Sequence, residues 1–294
     1  MTSRNQQLFE RAQKHIPGGV NSPVRAFRSV GGTPCFFSQG HGARVTDADG
    51  KSYLDFTSGI GVNSLGYCHP AWVRAVADQA ATLQHTSNLY YTAPDGKLAK
   101  KLCRRTGLDA VFFGNSGAEA NEGSMKLARL YAKRAGNGGN TIVCMRGGFH
   151  GRTLETIAAT MQDWLQDSFR PLPGGFVACT PNDVDELRAI FKQLGSEVCA
   201  VMLEPIQGES GVHPMTEEFM AAARDLAHEV GAVLIADEVQ CGIFRSGKPF
   251  AFQTYGVEPD IMSLAKGIAD GVPMGAVVAK KEIADVFKIG RAHV

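Results

Sequence analysis

The chain has 294 residues and a formal net charge of +1 at pH 7, with 44% hydrophobic and 20% charged residues. This composition is ordinary for a soluble globular protein, and the near-neutral charge predicts no nucleic-acid or anionic membrane partner. No apolar run approaches the roughly 20 residues that a membrane span needs. The 7 cysteines lack the C-x-x-C spacing of a zinc site or a disulfide framework. We therefore expect a cytoplasmic protein without a metal site.

The sequence begins with a segment of mixed predicted secondary structure and continues into a regular alternation of predicted strands and helices. Residues 1–45 predict a helix, an arm rich in glycine and proline, and a short strand, which we assign to an N-terminal arm. From about residue 70 onwards, apolar runs of strand length alternate with amphipathic helical segments. The strand candidates are 110–113, 141–145, 199–205, 232–238, 261–265 and 275–279, and helices are predicted at 119–135, 183–195 and 217–231, the last capped by Thr216.

This alternation predicts an α/β fold, with a mostly parallel central sheet covered by helices on both faces. We assign residues 46–287 to one large domain of this kind. Ligands of such sheets bind outside the carboxyl ends of the strands. The residues that follow each strand are therefore the functional candidates.

The first strand candidate is followed by a predicted anion site. Ser116, Gly117 and Ala118 open directly into a long helix, where small residues allow backbone N–H groups and the positive helix end to face a phosphate. The Ser116 hydroxyl adds a donor. The alternative is that Asn115 and Ser116 only cap the helix. The loop contains no lysine, so it is not a P-loop.

Two charged residues end apolar strands. Lys266 follows one strand directly and precedes a glycine, where a partly desolvated amine can act as a nucleophile. Its alternative is a lysine that extends to solvent. Asp237 ends the buried run 232–237, and a buried carboxylate needs a cationic partner, which the protonated nitrogen of a pyridine ring would supply. Its alternative is a helix cap or a structural ion pair.

Other strand-end residues complete the predicted site. Phe149 could cover one face of an aromatic ring, or belong to the core; His150 beside it is by default a packed histidine. Val239 and Gln240 follow Asp237, and Gln240 could bond to a ring hydroxyl. Together these positions give a phosphate cradle, an aromatic cover, an anion for a ring nitrogen and a Schiff-base lysine. This combination predicts pyridoxal phosphate as the cofactor.

The motifs at these strand ends resemble those of class III (subgroup II) aminotransferases, of the acetylornithine and ornithine type. The matching stretches are GIGVNSLGYCHP (59–70), NSGAEANEGSMKLAR (115–129), GGFHGRT (147–153), EPIQGESGV (204–212), ADEVQCGIFRSGKPFA (236–251) and GVEPDIMSLAKGIADGVPMGAVVA (256–279). The resemblance implies a fold-type-I enzyme that acts as a homodimer. It also implies cofactor-binding roles for Gly117, Ala118, Phe149, His150, Val239 and Gln240, with Lys266 and Asp237 as the catalytic pair.

The resemblance further implies a substrate class. Arg152 matches the family arginine that binds a substrate carboxylate, and Glu209 matches the glutamate that pairs with a later arginine. The expected reaction moves an ω-amino group from an acetylornithine-type or ornithine-type donor to 2-oxoglutarate. Residues 1–45 are instead similar to glutamate-1-semialdehyde aminomutase, in which Arg25 would bind the substrate carboxylate. The aminomutase reaction therefore stays open as an alternative.

Two further alternatives come from other classes of protein. Residues 242–248 fit the G-x-x-x-x-G-K pattern of an ATPase, but Pro249 stands where serine or threonine must bind Mg²⁺. An inactive binding protein is the other alternative, because the resembled family continues into a small C-terminal domain that we expect to be missing here. We expect residues 288–294 to be foreign to the fold.

Overall fold

A computed structural model describes residues 2–22, 27, 31–135 and 137–287 of the chain. Arg25 and the predicted foreign residues 288–294 lie outside the described residues. The chain divides into two compact units, Met1–Tyr90 and Tyr91–Val294. The assignment of 1–45 to an arm and of 46–287 to one large domain stays a prediction.

The first unit combines helices with a small antiparallel sheet, in the order β1-β2-β3. Its elements are α1 (Arg4–Gln13), β1 (Phe37–His41), β2 (Arg44–Asp47), β3 (Ser52–Leu54), the short α2 (Ser58–Gly61) and α3 (Pro70–Thr82). Asp49 ties α1 to this sheet, because its carboxylate accepts a hydrogen bond of 2.8 Å from the side chain of Asn5. The predicted initial helix and short strand are thus both present.

The second unit contains a seven-stranded sheet in the order β4-β12-β11-β10-β7-β5-β6, together with a two-stranded β8-β9 ribbon. The strands are β4 (Ala110–Gly114), β5 (Thr141–Met145), β6 (Phe176–Cys179), β7 (Val198–Leu203), β8 (Ile206–Gln207), β9 (His213–Pro214), β10 (Val233–Asp237), β11 (Ile261–Leu264) and β12 (Gly275–Ala279). The helices are α4 (Ala93–Thr106), α5 (Gly117–Ala135), α6 (Leu154–Ala159), α7 (Asp163–Gln166), α8 (Val184–Leu194), α9 (Glu217–Glu229), α10 (Phe252–Tyr255) and α11 (Lys281–Ala284).

The sheet is mostly parallel, as predicted from the sequence. β12 is antiparallel to both of its neighbours, β11 and β4. The other pairings, from β11 through β10, β7 and β5 to β6, are parallel. Because β12 runs the opposite way, it begins at the edge where the other strands end. Its first residue, Gly275, lies opposite Gly114 at the end of β4.

Helices cover both faces of the sheet, and the core is divided accordingly. On one face, α5 packs against side chains that include Ile235, Ile261 and Val277. On the other face, α8 and α9 pack against Val201 and Leu234, and α4 packs against β4 and β12. The strands are therefore buried on both sides, which explains their continuous apolar sequences.

Local capping explains where the helices begin. The Thr216 hydroxyl accepts a hydrogen bond of 3.1 Å from the backbone N–H of Phe219, which confirms the predicted cap of α9. Asp183 caps α8 in the same way, through a bond of 2.8 Å from the N–H of Glu186. None of the helices within the described ranges combines the length and apolar character that a membrane crossing requires.

Candidate active site

The start of α5 has the geometry of an anion site. The Ser116 hydroxyl oxygen accepts a bond of 3.1 Å from the N–H of Glu119, and the Glu119 carboxylate accepts from the backbone N–H of Asn115. This arrangement caps the helix at Ser116, with Glu119 bonding to the residue before the cap rather than to Ser116 itself. It does not use the hydrogen of the Ser116 hydroxyl, which can still be donated to a phosphate. The first-turn amides, including those of Gly117 and Ala118, have no carbonyl partner within the helix.

Close packing fixes this helix start against the neighbouring strands. A Cβ at Gly117 would lie 2.9 Å from Cγ1 of Val239, and a Cβ at Gly275 would lie 2.1 Å from the carbonyl oxygen of Ser116. Both distances are too short for any side chain. The two glycines therefore allow this backbone to lie directly against Val239, just after β10, and against β12.

Asp237 is the buried carboxylate of the site, with 2% of its surface exposed. Its Oδ2 accepts bonds of 2.7 Å from Nδ2 of Asn121 and 2.8 Å from Nδ1 of His150. Its Oδ1 accepts a bond of 2.9 Å from the N–H of Val239. Burial opposes the charged form of His150, but the hydrogen bond and negative charge of Asp237 outweigh it, so the pKa of His150 is raised. Three donors thus fix the direction of the Asp237 carboxylate.

The structure places His150 as a support for Asp237. The imidazole is completely buried, and its Nε2 has no hydrogen-bond partner among the described residues. This favours the packed alternative for His150, and direct contact with a cofactor stays a prediction. Asn121 also supports Asp237, to which its Nδ2 donates. The same Nδ2 donates a bond of 2.7 Å to the carbonyl oxygen of His150. Asn121 lies in the interior of α5, where no sequence pattern distinguished it.

Lys266 lies two residues after the end of β11, which pairs with the strand that ends in Asp237. Its backbone has a φ of 50°, which is rare for a residue other than glycine. Its Nζ donates a hydrogen bond to Oε1 of Gln240. Strained backbone of this kind persists where the surrounding structure determines it, often at functional sites. The structure therefore brings Lys266, Gln240 and Asp237 to one edge of the sheet.

Two further buried carboxylates surround Asp237, and the sequence analysis did not single them out. Glu204 follows β7 and accepts bonds from the N–H groups of Phe149, at 2.8 Å, and Gly208, at 3.4 Å. Burial, reinforced by the charge of Asp237, raises the pKa of Glu204 to about 7. Glu238 accepts bonds from the N–H groups of Ala251 and Phe252. Both carboxylates end apolar strands, which is the same signal that identified Asp237.

The remaining predicted residues lie closer to solvent. Phe149 is half-buried in the segment after β5, and its N–H is fixed by Glu204. Arg152 and Glu209 are exposed, after β5 and β8 respectively. Their roles toward a substrate stay predictions.

The ATPase alternative is not supported by the structure. Residues 242–249 form turns, and the next helix, α10, begins only at Phe252. A P-loop instead leads directly into the helix whose first turn binds the phosphates. Lys248 donates a bond of 3.0 Å to the carbonyl oxygen of Gln253, in α10.

Comparison with known proteins gives consistent matches. A family model described as Aminotransferase class-III matches residues 27–293. The chain is 51% identical over 261 residues to the acetylornithine aminotransferase of Methanocaldococcus jannaschii, an alignment that covers 88% of this chain and 65% of the relative. It spans 62% to 65% of the length of that and several other curated acetylornithine aminotransferases.

Solved structures show the same similarity. The N-acetylornithine aminotransferase of Stenotrophomonas maltophilia aligns with a TM-score of 0.76 and 36% identity, over 88% of this chain and 66% of that chain. A PLP-bound amine transaminase from an uncultivated Pseudomonas species aligns with a TM-score of 0.83 and 26% identity, over 92% of this chain and 66% of that chain. This similarity, which extends over most of the chain, confirms the predicted fold type.

Proposed function

Because this chain belongs to the class III aminotransferases, we propose that it binds pyridoxal phosphate and transfers an ω-amino group from an acetylornithine-type or ornithine-type donor to 2-oxoglutarate. The observation that carries the proposal is geometric. Lys266 and Asp237 leave adjacent parallel strands at the same edge of the sheet, next to the helix start that can bind a phosphate. Sequence identity to acetylornithine aminotransferases supports the choice of donor.

The residues present fit this cofactor. The amides of Gly117 and Ala118 and the hydroxyl of Ser116 suit a phosphate. The Asp237 Oδ1 accepts one hydrogen bond in the structure, so it has capacity for a second donor such as a protonated ring nitrogen. Two glycines keep side chains away from the anion site, as described above. Pyridoxal phosphate, when bound, would supply an electron sink for the carbanion that transamination requires.

Each protein group has a distinct task in this scheme. Asp237 holds the proton on the ring nitrogen, and its own partners keep its carboxylate in position. Gln240, which already contacts the Lys266 amine, fixes the amine and the ring hydroxyl relative to each other. The Lys266 Nζ would hold the cofactor and would move the proton at the carbon that bears the amino group. Phe149 covers one face of the ring.

We assign substrate recognition to two exposed charged residues, Arg152 and Glu209. The guanidinium of Arg152 would bind a carboxylate through two parallel hydrogen bonds. Glu209 would pair with an arginine when no substrate carboxylate is present. We also propose that the protein acts in the cytoplasm as a homodimer.

A donor panel tests the proposed reaction. Purified protein with pyridoxal phosphate and 2-oxoglutarate should consume acetylornithine or ornithine, measured as the glutamate formed. Glutamate semialdehyde is included because it is the substrate of the aminomutase alternative. Isomerisation of glutamate semialdehyde, without glutamate formation from either ornithine-type donor, would contradict the proposal and favour the aminomutase.

The role of Lys266 is tested by Lys266→Ala. Loss of a covalent catalyst should reduce turnover by at least ~10³-fold. The variant should also lose the visible absorbance of the lysine-bound cofactor. Covalent cofactor retained by the variant after borohydride reduction would show that another amine carries it.

A further inference from the structure

The segment that carries Arg152 lies against one face of α5. Asn121 bonds to the carbonyl of His150, at the beginning of this segment. Ala118, Glu122 and Arg129 of α5 make further contacts with this segment. Helix positions three and four residues apart share a face, so one face of α5 contacts residues 150–155 repeatedly. The same helix begins with the proposed phosphate-binding residues.

The chain is fixed to α5 immediately before Arg152. Gly151 has a φ of 142°, a conformation that residues with a side chain rarely adopt. A Cβ at Gly151 would lie 2.5 Å from Oγ1 of Thr156 and 3.0 Å from Cβ of Ala118. Only glycine therefore allows the chain to lie this close to Ala118 on α5 and to Thr156 on α6.

The chain is fixed again immediately after Arg152. The Thr153 hydroxyl donates a hydrogen bond to Oε1 of Glu122, on α5. The Thr153 N–H donates separately to Oγ1 of Thr156, at 3.0 Å, which satisfies the amide of the N-cap residue of α6. The start of α6 is therefore capped without Glu122. The contact between Glu122 and Thr153 has no evident task in capping the helix.

A third contact holds the first turn of α6. Arg129 pairs with Glu155, and its Nε donates a bond of 3.2 Å to the carbonyl of Asn140. Its guanidinium also lies 5.1 Å from the ring centre of Phe176, so it is fixed from several sides. The Glu155 pKa is raised by burial and by the neighbouring Glu122 carboxyl, whereas Arg129 lowers it. Glu122 and Glu155 are thus close enough to interact.

We propose that Glu122 is a positioning residue for substrate binding: through Thr153 it fixes the direction of the exposed Arg152, while Arg129 and Glu155 hold the helix that follows. The proposal rests on the proposed function, in which Arg152 binds the substrate carboxylate. A bidentate guanidinium contact depends on orientation, so a small rotation of this segment weakens binding without removing any group that touches the substrate.

The experiment measures binding of glutarate, an unreactive dicarboxylate, to the cofactor-loaded protein by calorimetry, together with the KM for 2-oxoglutarate. The variants are Glu122→Ala, Glu122→Gln, Arg152→Ala and the double variant Glu122→Ala/Arg152→Ala. Glu229→Ala is the matched control, because Glu229 is an exposed helical glutamate on α9. Melting temperature and cofactor affinity are recorded for every variant.

Glu122→Ala should weaken glutarate binding and raise the KM roughly tenfold, the usual effect of losing a hydrogen bond to a charged group. Glu122→Gln keeps an acceptor oxygen for Thr153 and should stay within about threefold of the original protein. Cofactor affinity should not change in either variant. In the double variant, Glu122→Ala should add no further loss to Arg152→Ala, because the two residues act as one unit.

Three results would overturn the inference, and they differ in what else they contradict. If Glu122→Ala weakened binding equally with and without Arg152, its effect would be general destabilisation, and the proposed function would be unaffected. If Arg152→Ala left glutarate binding unchanged, the assignment of Arg152 in the proposed function would fail as well. An effect of Glu229→Ala equal to that of Glu122→Ala would also count against a specific contact.

Discussion

Asp237 and Arg152 differ in burial and in the step that each should affect. Asp237 is enclosed by three donors, whereas Arg152 is exposed. Asp237→Asn removes the anion that keeps a ring nitrogen protonated, so kcat should fall steeply while the KM for 2-oxoglutarate changes little. Arg152→Lys keeps the charge but loses the planar fork, so the KM should rise most. Steady-state kinetics of both variants checks this division, and the same pattern in both would contradict it.

The raised pKa of Glu204 predicts how the free energy of unfolding depends on pH. Burial raises its pKa to about 7 in the folded protein, from an ordinary value of 4.5, and the Asp237 charge adds to the shift. The folded state therefore holds the Glu204 proton up to a higher pH than the unfolded chain does. Stability is lost as the pH rises from about 4.5 through about 7, by on the order of 3 kcal/mol in total. The raised pKa of His150 acts in the same direction.

Glu204→Gln tests this pH dependence. The variant cannot ionise at this position but keeps an oxygen that can accept from the Phe149 N–H. Denaturant unfolding of the cofactor-free protein should show a shallower loss of stability between pH 5 and pH 8 than the original chain shows. Parallel curves for the two proteins over this range would show that Glu204 is not the titrating group.

The antiparallel strand β12 is the element that completes the anion site. Its first residue, Gly275, touches the carbonyl of Ser116, and a Cβ there would lie only 2.1 Å from that oxygen. Gly275→Ala must displace either β12 or the start of α5. Overpacking of this kind costs about 1–3 kcal/mol. Because the displaced backbone includes the amides that we propose bind the phosphate, cofactor affinity should fall roughly tenfold or more.

Gly174→Ala is the matched control for Gly275→Ala. No atom lies within 4 Å of a Cβ built at Gly174. Titration of both variants with pyridoxal phosphate, followed by absorbance, compares a glycine in close contact with one in open space. Equal affinities would mean that the site tolerates movement of β12.

The order of elements along the chain was predictable, whereas their order in the sheet was not. The predicted strands 141–145 and 275–279 match β5 and β12, because continuous apolar runs between turns mark buried strands. The edge strand β6 was missed, because its apolar run, Phe176–Cys179, is only four residues long and mostly half-buried. The reversal of β12 was also missed, since an apolar run carries no information about its direction.

The sequence likewise identified those site residues whose position along the chain is informative, and not those that only the fold brings together. Lys266 and Asp237 stand where apolar strands end, so their positions alone indicated chemistry. Asn121 lies within a helix and reaches Asp237 from 116 positions away in sequence, a contact that only the fold creates. Glu122 and Thr153 are likewise ordinary residues in sequence, and their partnership depends on how α5 lies against the segment after β5.

At the scale of the whole molecule, large apolar side chains remain exposed. In the first unit, Phe56 is 93% exposed and Leu89 is 83% exposed. Single exposed apolar residues are common, but side chains of this size with almost no cover are typical of surfaces that meet another chain. These residues support the proposed homodimer.

The proposed homodimer can be tested in solution. Sedimentation of the protein over a range of concentrations should show a dimer, and Phe56→Ser should shift it toward the monomer. Burying a phenylalanine stabilises by roughly 1.5–3 kcal/mol, and in a twofold-symmetric interface the loss occurs once in each subunit. The dimer should therefore dissociate at roughly 10²-fold higher concentration or more. Trp164→Ser, which removes a 64% exposed side chain in the second unit, is the control. A dimer that Phe56→Ser leaves intact would place the interface elsewhere, and a monomer at every concentration would contradict the homodimer itself.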